Sequence, residues 1–60
     1  METLELMRAM CDGATPMNDI AELLRQTGHS QENINLALDL MMDNGYNVEV
    51  RHHKLFLVPA

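Results

Sequence analysis

The residues of this chain with the chemistry to bind a metal or attack a substrate are three histidines, one cysteine and a scatter of hydroxyl and carboxylate side chains. His52 and His53 stand side by side in Arg51-His52-His53-Lys54. On a regular strand adjacent side chains point to opposite faces, so the pair is not placed to chelate one ion, and His29 stands alone at a helix start. No metal is expected. Cys11 shares an apolar helical face with Leu4 and Met7 and has no base nearby, which makes it a small core residue and not a nucleophile. Ser30 precedes a helical pattern and is better used as a cap. No triad, pocketed carboxylate pair or glycine-rich phosphate loop can be assembled from the rest. The expectation is a protein that is not an enzyme and takes no cofactor and no small-molecule substrate.

The remaining chemistry is electrostatic. All nine acids lie within residues 1–49 beside two basic residues, giving −7, while residues 50–60 hold Arg51 and Lys54 and no acid, giving +2. The net charge of −5 opposes a polyanion as the main partner, because affinity for nucleic acid begins with phosphate neutralisation. The segment Arg51-His52-His53-Lys54 is the one basic spot. It could reach a phosphate backbone or minor groove, and protonation of His52 and His53 below about pH 6.5 would strengthen that contact. A solvated turn that needs charge accounts for the same residues.

These side chains must be positioned by a small fold. Sixty residues, 47% of them apolar, with only five Pro and Gly, leave room for one domain over residues 1–60 built from a few short elements. Leu4, Met7 and Cys11 recur at helical spacing, with Met10 beside them, up to Asp12-Gly13, predicting helix one over residues 2–12. Thr15-Pro16 reads as a capping hydroxyl and a first helical residue, ahead of Ile20, Leu23, Leu24 and Thr27, so helix two runs to about Gln26 or Thr27. Gly28-His29-Ser30 turns the chain into a third helix, capped by Ser30 and stopped at Asn44-Gly45. From Tyr46 the period changes to two, with Val48 and Val50 alternating against Asn47 and Glu49, and Leu55 to Val58 forms a second strand-prone run. A hairpin follows, although its tip lacks the Gly or Asn that two-residue turns prefer. With Tyr46 and Phe56 the only aromatic residues, six methionines and the leucines must fill the core. The longest apolar run is four residues, against the ~20 needed to cross a bilayer, and METLELMRAM lacks the basic cluster of a secretory signal. No membrane partner and a cytoplasmic location are expected.

Two helices joined by a tight turn at Gly28 and followed by a hairpin give an α+β fold, the winged helix-turn-helix. Residues 28–59, GHSQENINLALDLMMDNGYNVEVRHHKLFLVP, resemble part of the N-terminal domain of the biotin operon repressor family. Gly28, Ser30, Ile34 and Asn35 carry its Gly-x-Ser-x-x-x-Ile-Asn pattern, and the similarity continues through Gly45, Val48, Lys54, Phe56 and Pro59. The resemblance implies a DNA-binding scaffold; the family's ligase portion is missing, so no biotin chemistry follows. Where relatives place basic or small polar residues on the third helix, this chain has Gln31, Leu36, Ala37 and Met42.

Turning 100° per residue gathers Ile34, Ala37, Leu38, Met41 and Met42 into a core stripe. The opposite face carries Glu32, Leu36, Asp39 and Asp43, with Leu40 and Asn33 at its edge. Three carboxylates and no Arg or Lys make a poor match to DNA phosphates. Burying Leu36 and Leu40 together would contribute on the order of 3 to 5 kcal/mol before association costs. Scattered exposed leucines are ordinary, and helix one could cover Leu40. The functional reading is a protein interface of Glu32, Leu36, Asp39, Leu40 and Asp43, engaging a second copy in a homodimer or a basic partner. A small regulator of transcription or DNA transactions acting by docking follows, a role suited to a phage or mobile element. The alternative is direct DNA binding by a dimer through Gln31, Asn35, Arg51, His52, His53 and Lys54. A third idea, an acidic mimic of DNA, is interrupted by basic and apolar residues.

Overall fold

A computed structural model describes residues 1–59; residue 60, the last of the span expected to form the domain, lies outside the described residues. Helices α1 (Glu2–Met10), α2 (Met17–Gln26) and α3 (Gln31–Asp43) precede an antiparallel hairpin of β1 (Tyr46–Arg51) and β2 (Lys54–Pro59). Three helices followed by a two-stranded wing make this an α+β winged helix-turn-helix.

Local chemistry sets the element ends, in two places differently from expectation. Helix α1 stops at Met10, short of Asp12, because Cys11 leaves helical geometry at φ −85 and ψ 75 and Gly13 then turns the chain at φ +79. Thr15 does not cap α2. Pro16 is itself the N-cap, and its carbonyl accepts from the amides of Asp19 at 3.0 Å and Ile20 at 3.2 Å. The turn is made by Asp12, whose carboxylate accepts from the amides of Ala14 at 2.9 Å and Thr15 at 3.0 Å. A Thr15 cap would accept from the amide of Met17 or Asn18, and no such bond forms; the Asp12 carboxylate shapes the loop ahead of α2 instead. The Ala14 and Thr15 amides hold the Asp12 carboxyl below its usual range. Ser30 caps α3 as expected, its Oγ accepting from the Asn33 amide at 3.1 Å. Asn44 closes the other end by donating from Nδ2 to the Leu40 carbonyl at 2.6 Å.

The core is where the three helices meet the base of β2. Met7, Cys11, Ile20, Leu24, Ile34, Ala37, Met41 and Leu57 are buried together, with Leu4, Met10, Met17, Ala21, Leu38 and Tyr46 packed around them. Met42 is a correction: it is 41% exposed, because a residue about 80° round the helix from Ile34 sits at the margin of the stripe. Thr3 is the one buried polar residue among the described residues, and its hydroxyl pairs with His29 Nδ1 at 2.7 Å. That bond ties the start of α1 to the turn between α2 and α3, and His29, read from sequence only as a lone histidine, is structural. Burial first, and the Asp12 charge second, push the Cys11 thiol above its usual pKa, which keeps it in the inert protonated form.

Candidate docking face and wing

Helix α3 presents its outer face as the spacing requires. Leu36 is 49% exposed, and Glu32, Asp39 and Asp43 are exposed alongside it. Leu40 is half-buried, so the pair Leu36 and Leu40 is only partly available. Burying what remains of both contributes about 2 kcal/mol, below the expectation for two free leucines. None of the three carboxylates meets a base: the single salt bridge among the described residues joins Arg51 to Glu49. Asp43 is the last residue of α3, whose final turn has no basic side chain. A negative charge there opposes the negative end of the helix dipole and costs stability. This surface combines an apolar anchor with uncompensated acid, one carboxylate placed against local helix stability.

The start of α3 is polar and organised. Arg25, at the end of α2, donates from Nη1 to Gln31 Oε1 at 2.8 Å, and Gln31 Nε2 donates to Asn35 Oδ1 at 2.9 Å. Gln31 and Asn35, the two α3 residues of the DNA reading, are therefore bonded to each other. Arg25 was missed, and its signal is positional: the tight turn at Gly28 folds the last turn of α2 back onto the first of α3.

The wing rearranges the expected basic cluster. Arg51 is not free at the tip. Its Nε donates to Glu49 Oε1 at 2.8 Å, its Nη1 donates to the Gly13 carbonyl at 2.9 Å, and the guanidinium lies 4.9 Å from the centre of the Phe56 ring. Period-two alternation places Glu49, Arg51 and Phe56 on one face of the hairpin, where they stitch the wing to the α1–α2 loop. Lys54, His52 and His53 remain exposed. The two histidines form the turn at the centre of the expected polar tip, at φ 51 and φ 64. Two left-handed residues are what a two-residue turn matched to strand twist requires, and histidine is among the side chains that tolerate this region. Among the described residues no three His, Cys, Asp or Glu side chains gather as a metal site, and no helix is long and apolar enough to cross a membrane.

The architecture and its surfaces define a winged-helix domain with an acidic, leucine-bearing third helix. Comparison with protein-family models, curated proteins and solved structures finds no match to this chain.

Proposed function

We propose that this chain is a cytoplasmic winged-helix docking module, built on a scaffold of the biotin-repressor type, that regulates transcription or another DNA transaction by binding a basic protein through α3. The observation that carries this reading is the row of unpaired carboxylates, Glu32, Asp39 and Asp43, beside exposed Leu36. About 2 kcal/mol from the leucines does not offset the cost of association, so charge complementarity must supply both steering and the balance of affinity. The same acids argue against a second copy at this face: an isologous contact would bring both sets of three carboxylates together. The mechanism is docking without chemistry.

A labelled amphipathic helical peptide with a leucine stripe and a lysine face is a direct probe by fluorescence anisotropy. Binding in the micromolar range that weakens with salt and is lost in Leu36→Asp supports the reading. Equal binding by the folded variant refutes it.

Direct DNA binding is the second reading, favoured by the Arg25, Gln31 and Asn35 chain at the start of α3 and by exposed Lys54, His52 and His53. Titration of mixed-sequence duplex at low salt separates the two, since even a specific reader has non-specific affinity there. Micromolar binding that fades steeply with salt selects DNA, whereas absence of binding retires the DNA reading.

A further inference from the structure

Among the described residues no strand pairs with the outer edge of β1. The turn joins Arg51 to Lys54 directly, and the register continues through Glu49 with Phe56 and Asn47 with Val58. In an antiparallel ladder these pairs bond to each other, so the amides and carbonyls of Tyr46, Val48 and Val50 point away from β2. None of those groups finds another backbone or side-chain partner among the described residues. Both strands pack against a helix, β1 against α3 and β2 against α2, but on β2 Leu57 is buried and Pro59 has no amide to offer.

Edge strands normally carry a proline, a lysine or a bulge to discourage pairing. The sequence Tyr46-Asn47-Val48-Glu49-Val50-Arg51 has none of these. Its two charged residues lie on the Phe56 face and are engaged with each other. The other face is apolar and open toward the tip: Val48 is 42% exposed, Val50 68%, and Leu55, the cross-strand partner of Val50, 42%.

We propose that β1 pairs antiparallel with β1 of a second copy about a two-fold axis at Val48, giving a four-stranded sheet across the dimer. Register selects this centre. It sets Val48 against Val48 and Tyr46 against Val50 of the other copy, an aromatic with β-branched pairing that sheets favour, and Asn47 against Glu49. All three outward-facing residues then exchange bonds, about six hydrogen bonds in total. Centring on Glu49 would oppose two carboxylates. Centring on Val50 would draw His52, left-handed at φ 51, into a ladder it cannot continue. Centring on Asn47 would set Val50 against Asn44, which is occupied in closing α3. The Val48, Val50 and Leu55 patches of the two copies then lie on one continuous sheet face. A single short strand per copy buries less than a standard interface, so the dimer forms with a dissociation constant in the micromolar range.

Sedimentation velocity from about 10 μM to 1 mM tests this, with amide exchange read in parallel. The wild type should pass from monomer to dimer over that range, with the Val48 and Val50 amides becoming protected as it does. Val48→Pro removes an outward amide that the hairpin does not use, and Val48→Lys opposes two like charges at the axis while keeping the strand. Both should stay monomeric with helix content unchanged, and Val48→Lys alone decides the matter should the proline variant not fold. A wild type still monomeric at 1 mM overturns the proposal, as does a dimer that persists in folded Val48→Lys.

Discussion

Removing the Arg51 side chain tests whether the wing is clamped to the body or projects freely. Arg51→Ala deletes a charge-assisted bond to the Gly13 carbonyl at 2.9 Å, a stack over Phe56 at 4.9 Å and an ion pair with Glu49 at 2.8 Å. The side chains of the ion pair are 40% and 50% exposed, so that contact contributes at most a few tenths of a kcal/mol. The bond to the partly buried carbonyl contributes about 1 to 1.5 kcal/mol and the stack about 0.5 to 1. Because the three share one guanidinium they do not add in full, and a loss of about 2 kcal/mol is expected. In a domain this small each kcal/mol moves the midpoint by roughly 4 to 8 °C, so thermal unfolding followed by circular dichroism should fall by about 10 °C. Glu49→Gln, which removes only the exposed ion pair, should lower it by less than about 3 °C. Arg51→Lys should not rescue, since an ammonium cannot make the bond and the stack together. A change in Arg51→Ala no larger than in Glu49→Gln refutes the clamp and returns Arg51 to the solvent, where it would again be a phosphate ligand.

Three further predictions concern positions where local chemistry is unfavourable or shifted. Replacing His52 by Asn and His53 by Gly fits the left-handed turn and should stabilise the domain by roughly 1 to 2 kcal/mol in urea unfolding; an unchanged midpoint would show that the turn holds no strain. Asp43→Asn removes a charge at the negative end of α3 and should stabilise by about 0.5 kcal/mol while weakening the lysine-faced peptide, whereas a destabilised variant would mean that Asp43 has a structural partner. The Cys11 thiol, raised in the folded state, binds its proton more tightly there than when unfolded. The stability this contributes is fully present below the usual 9.0 and is lost as pH rises through the folded value, so Cys11→Ala should flatten the alkaline limb of a stability profile.

The elements were legible because each is written in local terms. Ser30 has a hydroxyl three residues before the Asn33 amide it caps, and Gly28 and Gly45 sit where left-handed backbone is needed. Ile34, Ala37 and Met41 fall on one stripe by period alone. What sequence did not show is non-local or competitive. Thr15 has the side chain of a cap, but the chain enters α2 with Pro16 at the N-cap, and Asp12 fixes the loop ahead of it through the Ala14 and Thr15 amides. Arg51 read as part of a basic tip because its three partners, Gly13, Glu49 and Phe56, converge only through the strand register and the return of the chain past the α1–α2 loop. Arg25 lies six residues from Gln31, beyond the reach of any single-helix rule, and meets it through the turn at Gly28. Thr3 and His29 are 26 positions apart, and neither is apolar enough to enter a periodicity argument.

The departures from local rules are not spread evenly. The interior obeys them: its buried side-chain polar atoms all have partners among the described residues, and its largest fully buried side chains are aliphatic or methionine. The violations are at the surface, in three places. Asp43 opposes its helix dipole, His52 and His53 occupy left-handed backbone without glycine, and β1 leaves an apolar edge without a guard residue. Each could be relieved by one or two substitutions that disturb no buried contact. For a 60-residue domain with little stability to spare, such costs are substantial. They set a core that obeys local rules apart from a third helix and wing that depart from them. The acidic face and the β1 edge are independent: an α3 variant should leave self-association untouched, and a β1 variant should leave binding of the basic peptide untouched. Loss of both by either single variant would mean that one surface has been counted twice.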